Sequence, residues 1–419
     1  MAHFSLTAGT AYADRVNVDV GTSARALRLL LALAVIFVCA MPLGAVTTAK
    51  ARHKRVVHAR IVHRSVATRA RTRVVTLARV TTSSARRKAR RIFYSPWTEP
   101  TYADSTIGDN IDGEDLVVRK AAVDALGPFN GTVIVANPDT GRLLTIVNQR
   151  LGLKGAFQPC STVKVVVSFA SLREGTVDSA SRVQLSRRYS LDMTGALAHS
   201  NNLYFAKMGE RLGFDKVSTY TKMFGIGEKA GLDIPGEEPG YVTDRVPASG
   251  IGMMTSFGDG IKLTPLELTS IVSSVANGGT MYYLQYPKSQ QEVDSFTPRI
   301  KRELDIEKYI PEVKPGMNGA VEYGTARRAS LNNDGDAIYG KTGTCTDTAQ
   351  PGVHLGWFGS FNEVPKNRVA VVVLLTGGRG VAGPIAAGVA GNVYQNLAAQ
   401  HYFGDTPNVT TKLVVSMQK

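Results

Sequence analysis

Strand signals stand at both ends of residues 114–400 and helix signals fill the middle, and this arrangement constrains the fold more than any other feature. Thr132 to Val147 alternates as two strands around Asn137-Pro138-Asp139-Thr140-Gly141, a hairpin turn sequence. Strand patterns return only at Ala337 to Thr346, His354 to Phe361 and Arg368 to Leu375. Between them lie helical stretches, including Met193 to Leu212 and Lys216 to Phe224. Thr264-Pro265-Leu266-Glu267 is a capping box with proline at the first helical position, which starts a helix running to about Asn277. One sheet must therefore be completed by segments far apart in the chain. The expected class is α+β: an antiparallel sheet of about five strands. Helices Glu114 to Leu126 and Pro384 to Gln400 flank it, and a mostly helical subdomain is inserted.

Charge separates this part from what precedes it. Residues 51–98 hold 14 Lys/Arg and no Asp or Glu, so of the net +15 only about +1 belongs to the rest of the chain. The overall basicity therefore says nothing about the folded part. Residues 1–28 read as a polar N-terminal segment. Residues 29–49 carry no charge over Leu29 to Ala49, long enough to span a bilayer at roughly 20 residues. They read as an uncleaved transmembrane anchor, with a signal peptide ending near Ala49-Lys50-Ala51 as the alternative. Both imply export; the positive-inside rule argues against the anchor, because the arginines follow the run. Residues 50–112 read as a basic, disordered linker. Aromatic residues are absent from the arginine-rich stretch until Phe93, so an arm on anionic headgroups or wall polymer fits better than nucleic acid. The folded domain is expected over 113–402, with 403–419 as a tail. Three cysteines are too few for a disulfide scaffold, and no Cys/His cluster has zinc-ligand spacing.

Gln158-Pro159-Cys160-Ser161-Thr162-Val163-Lys164 opens an apolar run, Val165 to Leu172, that reads as a buried helix with Gly175 just past its end. Ser161 is expected to cap that helix, with Lys164 on the same face of its first turn. A serine hydroxyl needs a base, and lysine serves only when burial or a second cation keeps it neutral. Ser-x-x-Lys recurs at Ser416–Lys419, so the motif alone does not define a site. Ser200-Asn201-Asn202 lies inside Met193–Leu212, a poor place for such residues unless the helix breaks there to aim them. Lys341-Thr342-Gly343-Thr344 lies in a strand pattern. Its lysine can hold a carboxylate or depress the pKa of Lys164, and its glycine is expected to clear room for substrate. Its edge backbone can pair with an extended peptide.

In this order the three motifs resemble the active site of penicillin-binding proteins and serine β-lactamases. The resemblance runs from about residue 115 to 400. It takes in the hairpin Asn130–Asn148, Gly231-Leu232-Asp233-Ile234-Pro235-Gly236-Glu237, and the stretch from Ser256-Phe257-Gly258-Asp259-Gly260 to Ala276-Asn277-Gly278-Gly279. Gly324-Thr325-Ala326 and Gly356-Trp357-Phe358-Gly359 complete it. The resemblance implies Ser161 as acylated nucleophile, Lys164 as base and Ser200 as proton relay. It implies Asn202 on the substrate amide, and Lys341, Thr342, Gly343 and Thr344 around the substrate carboxylate. Backbone N–H groups of Ser161 and Thr344 would form the oxyanion hole. The implied reaction is a D,D-transpeptidase acyl transfer from a D-Ala-D-Ala peptidoglycan stem peptide, or the carboxypeptidase variant of it, with no metal or organic cofactor. β-Lactams would be covalent inhibitors and cell-wall synthesis proteins possible partners, at a cell membrane spanned once with the catalytic domain outside.

Two departures keep other readings open. Cys160 stands where many transpeptidases have glycine, and Pro-Cys-Ser-Thr-x-Lys is similar to class D β-lactamases and β-lactam receptor domains. Against class D, that family has valine where this chain has Asn202. Glu237 and Glu238, the nearest candidates for a deacylating base, sit in a Pro/Gly turn with a structural look. If Ser161 and Thr344 share an oxyanion hole, as the resemblance implies, Cys160 and Cys345 are each one residue from it. A disulfide between them after export is then an expectation, with two small buried residues as the alternative.

Overall fold

A computed structural model describes residues 99–330, 337–348, 350, 352–364 and 366–404. The readings of residues 1–98, including the anchor at 29–49, lie outside the described residues, as does most of the tail. Among the described residues no helix is long and apolar enough to cross a membrane.

Helix α1 (Leu116–Leu126) starts at Asp115, whose carboxylate accepts from the N–H groups of Val117 and Val118. Hairpin strands β1 (Gly131–Ala136) and β2 (Leu143–Val147) follow. A 3₁₀ turn, Cys160–Val163, runs directly into α2 (Lys164–Arg173). The inserted part carries α3 (Met193–Ala198), α4 (Asn202–Leu212), α5 (Pro265–Ala276) and α6 (Ile310–Glu322). Strands β3 (Ile338–Thr346), β4 (His354–Asn362) and β5 (Ala370–Gly377) then lead to α7 (Gly383–Ala399).

The five strands form one antiparallel sheet in the order β2-β1-β5-β4-β3. The N-terminal hairpin thus makes one edge, the Lys-Thr-Gly strand β3 makes the other, and β5 and β4 lie between them. Alternation along the central strands feeds two cores. Val133, Val135, Val371 and Val373 pack with Val118 and Ala121 of α1 and Ala390 and Val393 of α7. Val372 and Leu374 face the other way, into a core with Leu268, Ile271 and Val272 of α5 and Phe169 of α2. Each such side chain contributes roughly 1.5–3 kcal/mol by leaving water. Both α2 and α5 are buried almost throughout, which explains their lack of polar periodicity.

The fold class is as expected, and several local readings change. The insert is less helical than its sequence suggests. It also holds three two-stranded ribbons, such as Val183–Ser186 with Tyr189–Leu191, whose strands of two to four residues are too short to show a period. Residues 99–112, read as linker, lie against the fold. Thr101 and Pro100 accept hydrogen bonds from Asn130, at 3.0 and 2.9 Å. Asp109 pairs with Arg119 at 2.7 Å and accepts from the backbone of Asn148 and Gln149.

Candidate active site

Ser161 lies within the 3₁₀ turn, not at a helix cap. No side chain caps the turn or the helix that follows: the Thr162 hydroxyl instead donates to the Pro159 carbonyl at 2.7 Å, and Ser161 Oγ faces Lys164. In 3₁₀ geometry side chains three apart eclipse one another. That places Lys164 Nζ 3.0 Å from Ser161 Oγ.

The predicted helix Met193–Leu212 breaks at the Ser-x-Asn motif. Helix α3 stops at Ala198, and Ser200 adopts φ 54°, a left-handed conformation costly for a non-glycine residue. Asn201 then caps α4, accepting from Tyr204 N–H at 2.9 Å. The break turns both oxygens of Ser200 onto Lys164: the carbonyl at 2.8 Å and the hydroxyl at 3.1 Å. Asn202 Oδ1 completes the set at 2.5 Å. From edge strand β3, Lys341 Nζ reaches the same Ser200 hydroxyl at 2.8 Å and the Thr342 carbonyl at 3.0 Å. Ser200 therefore bridges two lysines.

Both amines are shut away from water: Lys164 is 0% exposed and Lys341 1%. Burial, reinforced by the charge of Lys341, pushes Lys164 down to about 6, and burial alone pushes Lys341 down to about 7. A neutral amine has two N–H donors and one lone pair. The Ser200 carbonyl and Asn202 Oδ1 can only accept, so they take the two N–H groups of Lys164. The lone pair is left for the two hydroxyls, Ser161 and Ser200. This is the arrangement a general base for Ser161 needs.

Ser161, Ser200, Asn202, Thr342 and Thr344 line one open cleft together with Thr325 and Phe257. Thr325 Oγ1 lies 2.6 Å from Thr342 Oγ1, a role that the sequence offered only as part of Gly324-Thr325-Ala326. Thr344 Oγ1 accepts from Gly383 N–H at the start of α7, at 2.7 Å, leaving its own proton to donate.

Gly343 has a different purpose from the one expected. A Cβ there would meet the Pro159 carbonyl at 2.9 Å, Thr162 Cγ2 at 3.2 Å and Trp357 Cβ at 3.2 Å. The glycine lets the nucleophile turn pack onto β3; the space it clears is filled by protein. Trp357 Nε1 secures the same loop by donating to the Gln158 carbonyl at 3.0 Å, a contact that sequence motifs did not signal. A disulfide joins Cys160 to Cys345 across this contact, with Cα atoms 5.7 Å apart. Glu237 is buried and accepts from the N–H groups of Ala230 and Gly231 at 2.7 and 3.0 Å, so its carboxylate holds a turn.

A family profile described as "Penicillin binding protein transpeptidase domain" matches residues 131–395. Among curated proteins, Stage V sporulation protein D of Bacillus subtilis (strain 168) is 27% identical over 287 residues, covering 60% of this chain and 44% of that protein. Peptidoglycan D,D-transpeptidase MrdA of Acinetobacter baumannii is 23% identical over 335 residues, covering 64% and 49%. The chain thus spans about half the length of the curated relatives it matches. Among solved structures, the TP domain of penicillin-binding protein 3 from Burkholderia pseudomallei superposes with a TM-score of 0.58 at 19% identity, covering 68% of this chain and 94% of that one. PBP2 of Pseudomonas aeruginosa, in complex with WCK 5153, gives 0.57 at 22% identity, covering 68% and 76%. The structural likeness carries the fold, the profile spans well over half of the sequence, and the chain belongs to the penicillin-binding protein transpeptidase domain family.

Proposed function

We propose that the protein is a penicillin-binding D,D-transpeptidase that acts on D-Ala-D-Ala stem peptides of peptidoglycan through an acyl-enzyme at Ser161. The observation that carries this reading is the buried Lys164 amine, whose Nζ lies 3.0 Å from Ser161 Oγ, 2.8 Å from the Ser200 carbonyl and 2.5 Å from Asn202 Oδ1. Ser161 Oγ attacks the carbonyl of the penultimate D-alanine while Lys164 takes its proton. The N–H groups of Ser161 and Thr344 receive the developing oxyanion. Ser200, between Lys164 and Lys341, passes the proton to the departing D-alanine nitrogen. Lys341, with the Thr342 and Thr344 hydroxyls, meets the substrate carboxylate, and Asn202 offers its amide N–H to the peptide. The edge position of β3 leaves its outer backbone row to pair with an extended stem peptide. An amine, or water, then takes the acyl group and restores Ser161. β-Lactams acylate the same serine. Residues 29–49 anchor the chain with this domain outside the membrane.

A β-lactamase would need a base to hydrolyse the adduct quickly. The carboxylate best placed in sequence, Glu237, is occupied by two backbone N–H groups, and no acidic side chain lines the cleft among the described residues. The test is the fate of the adduct in the full chain. A fluorescent penicillin should label it stably, and a D-Ala-D-Ala pentapeptide should release D-alanine. Label lost within seconds would make it a β-lactamase, and stable label without D-alanine release a receptor.

A further inference from the structure

The geometry points to the Cys160–Cys345 disulfide as a positioning element for acylation: it holds the nucleophile turn against β3, so the chain acylates at full rate only with the bond formed. This rests on the acyl-enzyme reading above. Cys160 immediately precedes Ser161 and Cys345 immediately follows Thr344, so the bond joins the two backbone segments that carry the nucleophile and both proposed oxyanion donors. An oxyanion site depends on the separation of its two donors, and a misplacement of 1 Å can cost on the order of 10²-fold.

Trp357, through the Gln158 carbonyl, and the close packing at Gly343 also hold the turn to β3, and three features leave part of that separation to the disulfide. Strand β3 is the edge of the sheet, with no further strand beyond it among the described residues. Gly343, the residue facing the turn, has no side chain to interlock with it, so the contact there is backbone packing against the Pro159 carbonyl and Thr162. The turn is short and its internal bonds run from Thr162 to Pro159, one residue to either side of the Cys160–Ser161 pair. Cys160 itself sits at φ 52°, where glycine would be free and cysteine is disfavoured. A glycine would suit the backbone and could not form the cross-link. The residue present favours the cross-link over backbone ease.

The bond is also open to exchange. Cys160 is fully buried, whereas Cys345 is partly exposed. A dithiol reductant would attack Cys345 Sγ as thiolate, forming a mixed disulfide and expelling the Cys160 thiolate. Its second thiol then closes on the first, releasing Cys345 as thiolate and leaving the reductant as a cyclic disulfide. Both cysteines gain a proton, and the dithiol is the electron donor.

The experiment compares the full chain oxidised, reduced with dithiothreitol and desalted, and reoxidised. The chain has three cysteines, so denatured oxidised protein should titrate one thiol, Cys39, and reduced protein three. Acylation by a fluorescent penicillin is followed at 25 °C over a range of concentrations, with circular dichroism alongside. The expected result is a limiting acylation rate at least about tenfold lower after reduction, with half-saturation changed less than about twofold, the fold retained, and the rate restored by reoxidation. The double variant C160G/C345A, which keeps a residue at ease with φ 52°, should match the reduced chain. Equal limiting rates in oxidised and reduced chain would overturn the positioning role, whatever the melting temperature does. So would three free thiols in the oxidised protein, or loss of the fold on reduction at 25 °C, which would make the bond a support of the whole domain. An oxidised, folded chain that takes no label would sink the acyl-enzyme reading itself, and this proposal with it.

Discussion

Replacing Asn202 by aspartate tests the protonation state on which the mechanism depends. Asn202 Oδ1 sits 2.5 Å from Lys164 Nζ, and in wild type no charge there opposes the burial and the Lys341 cation that push Lys164 down to about 6. The N202D carboxylate would favour the ammonium; an opposite charge at such range shifts a pKa by about 1–3 units, here upward. In the proposed mechanism neutral Lys164 is the active form, so acylation is lost as pH falls through its pKa. In wild type that acid limb should have its midpoint near 6. In N202D it should lie near 7 to 9, within about 1–3 units above wild type. For a two-unit shift, the neutral fraction at pH 7 falls from about 0.9 to about 0.1, a roughly tenfold loss in rate recoverable at higher pH. The assay is the second-order rate of labelling by fluorescent penicillin from pH 5 to 10. Losing the Asn202 amide lowers the plateau too, but the midpoint does not depend on the plateau. A midpoint that stays near 6 in both proteins would show that the limb does not report Lys164, and the base assignment would fall.

The same burial should appear in stability. Lys164 titrates lower in the folded chain than its ordinary 10.5, so between about 6 and 10.5 the unfolded chain binds a proton that the folded one does not. Its contribution is destabilising, fully so below about pH 6, and fades as pH rises, at about 1.4 kcal/mol per unit. K164M should therefore melt above wild type at pH 7, by a margin that shrinks towards pH 10, while taking no penicillin label; thermal melts across pH would show a constant or negative margin if this is wrong. G343A puts a Cβ 2.9 Å from the Pro159 carbonyl, so it should cost about 1–3 kcal/mol in chemical denaturation and slow acylation at least tenfold. Wild-type acylation by G343A would mean that the turn can yield without consequence. E237A strands two buried N–H groups, each worth about 1–3 kcal/mol, so it should lower the melting temperature and leave the lifetime of the penicillin adduct unchanged. A longer lifetime would give Glu237 the deacylating role that its hydrogen bonds argue against.

Much of this was legible because its signals are local. Short strand-like runs, alternating only over Thr132 to Val147, marked the five strands of the sheet, and their positions at the two ends of the domain required a sheet assembled from distant segments. Thr264 and Glu267 announced their helix through a capping box that forms in full. The chemistry of Ser161, Lys164, Ser200 and Lys341 was legible as residue types in order, and the fold brings all four to one cleft or its floor. What the sequence hid depends on backbone states and distant partners. Nothing local announces that Ser200 takes a left-handed conformation, or that the helix after Ser161 starts from a 3₁₀ turn with no side-chain cap. Gly343 was misread because a missing Cβ looks the same whether substrate or protein fills the space. Residues 99–112 looked like linker because their role is to supply acceptors and an ion pair to distant residues, among them Gln149, 40 positions from Asp109, and Gly378, 277 positions from Thr101.

The most direct test of the central claim is the intact mass of the full chain after incubation with benzylpenicillin, with digestion to locate the adduct. The account predicts one added penicilloyl group, on the peptide containing Ser161, persisting for hours and absent from S161A. An unmodified, folded wild-type chain, or an adduct that forms equally in S161A, would contradict it.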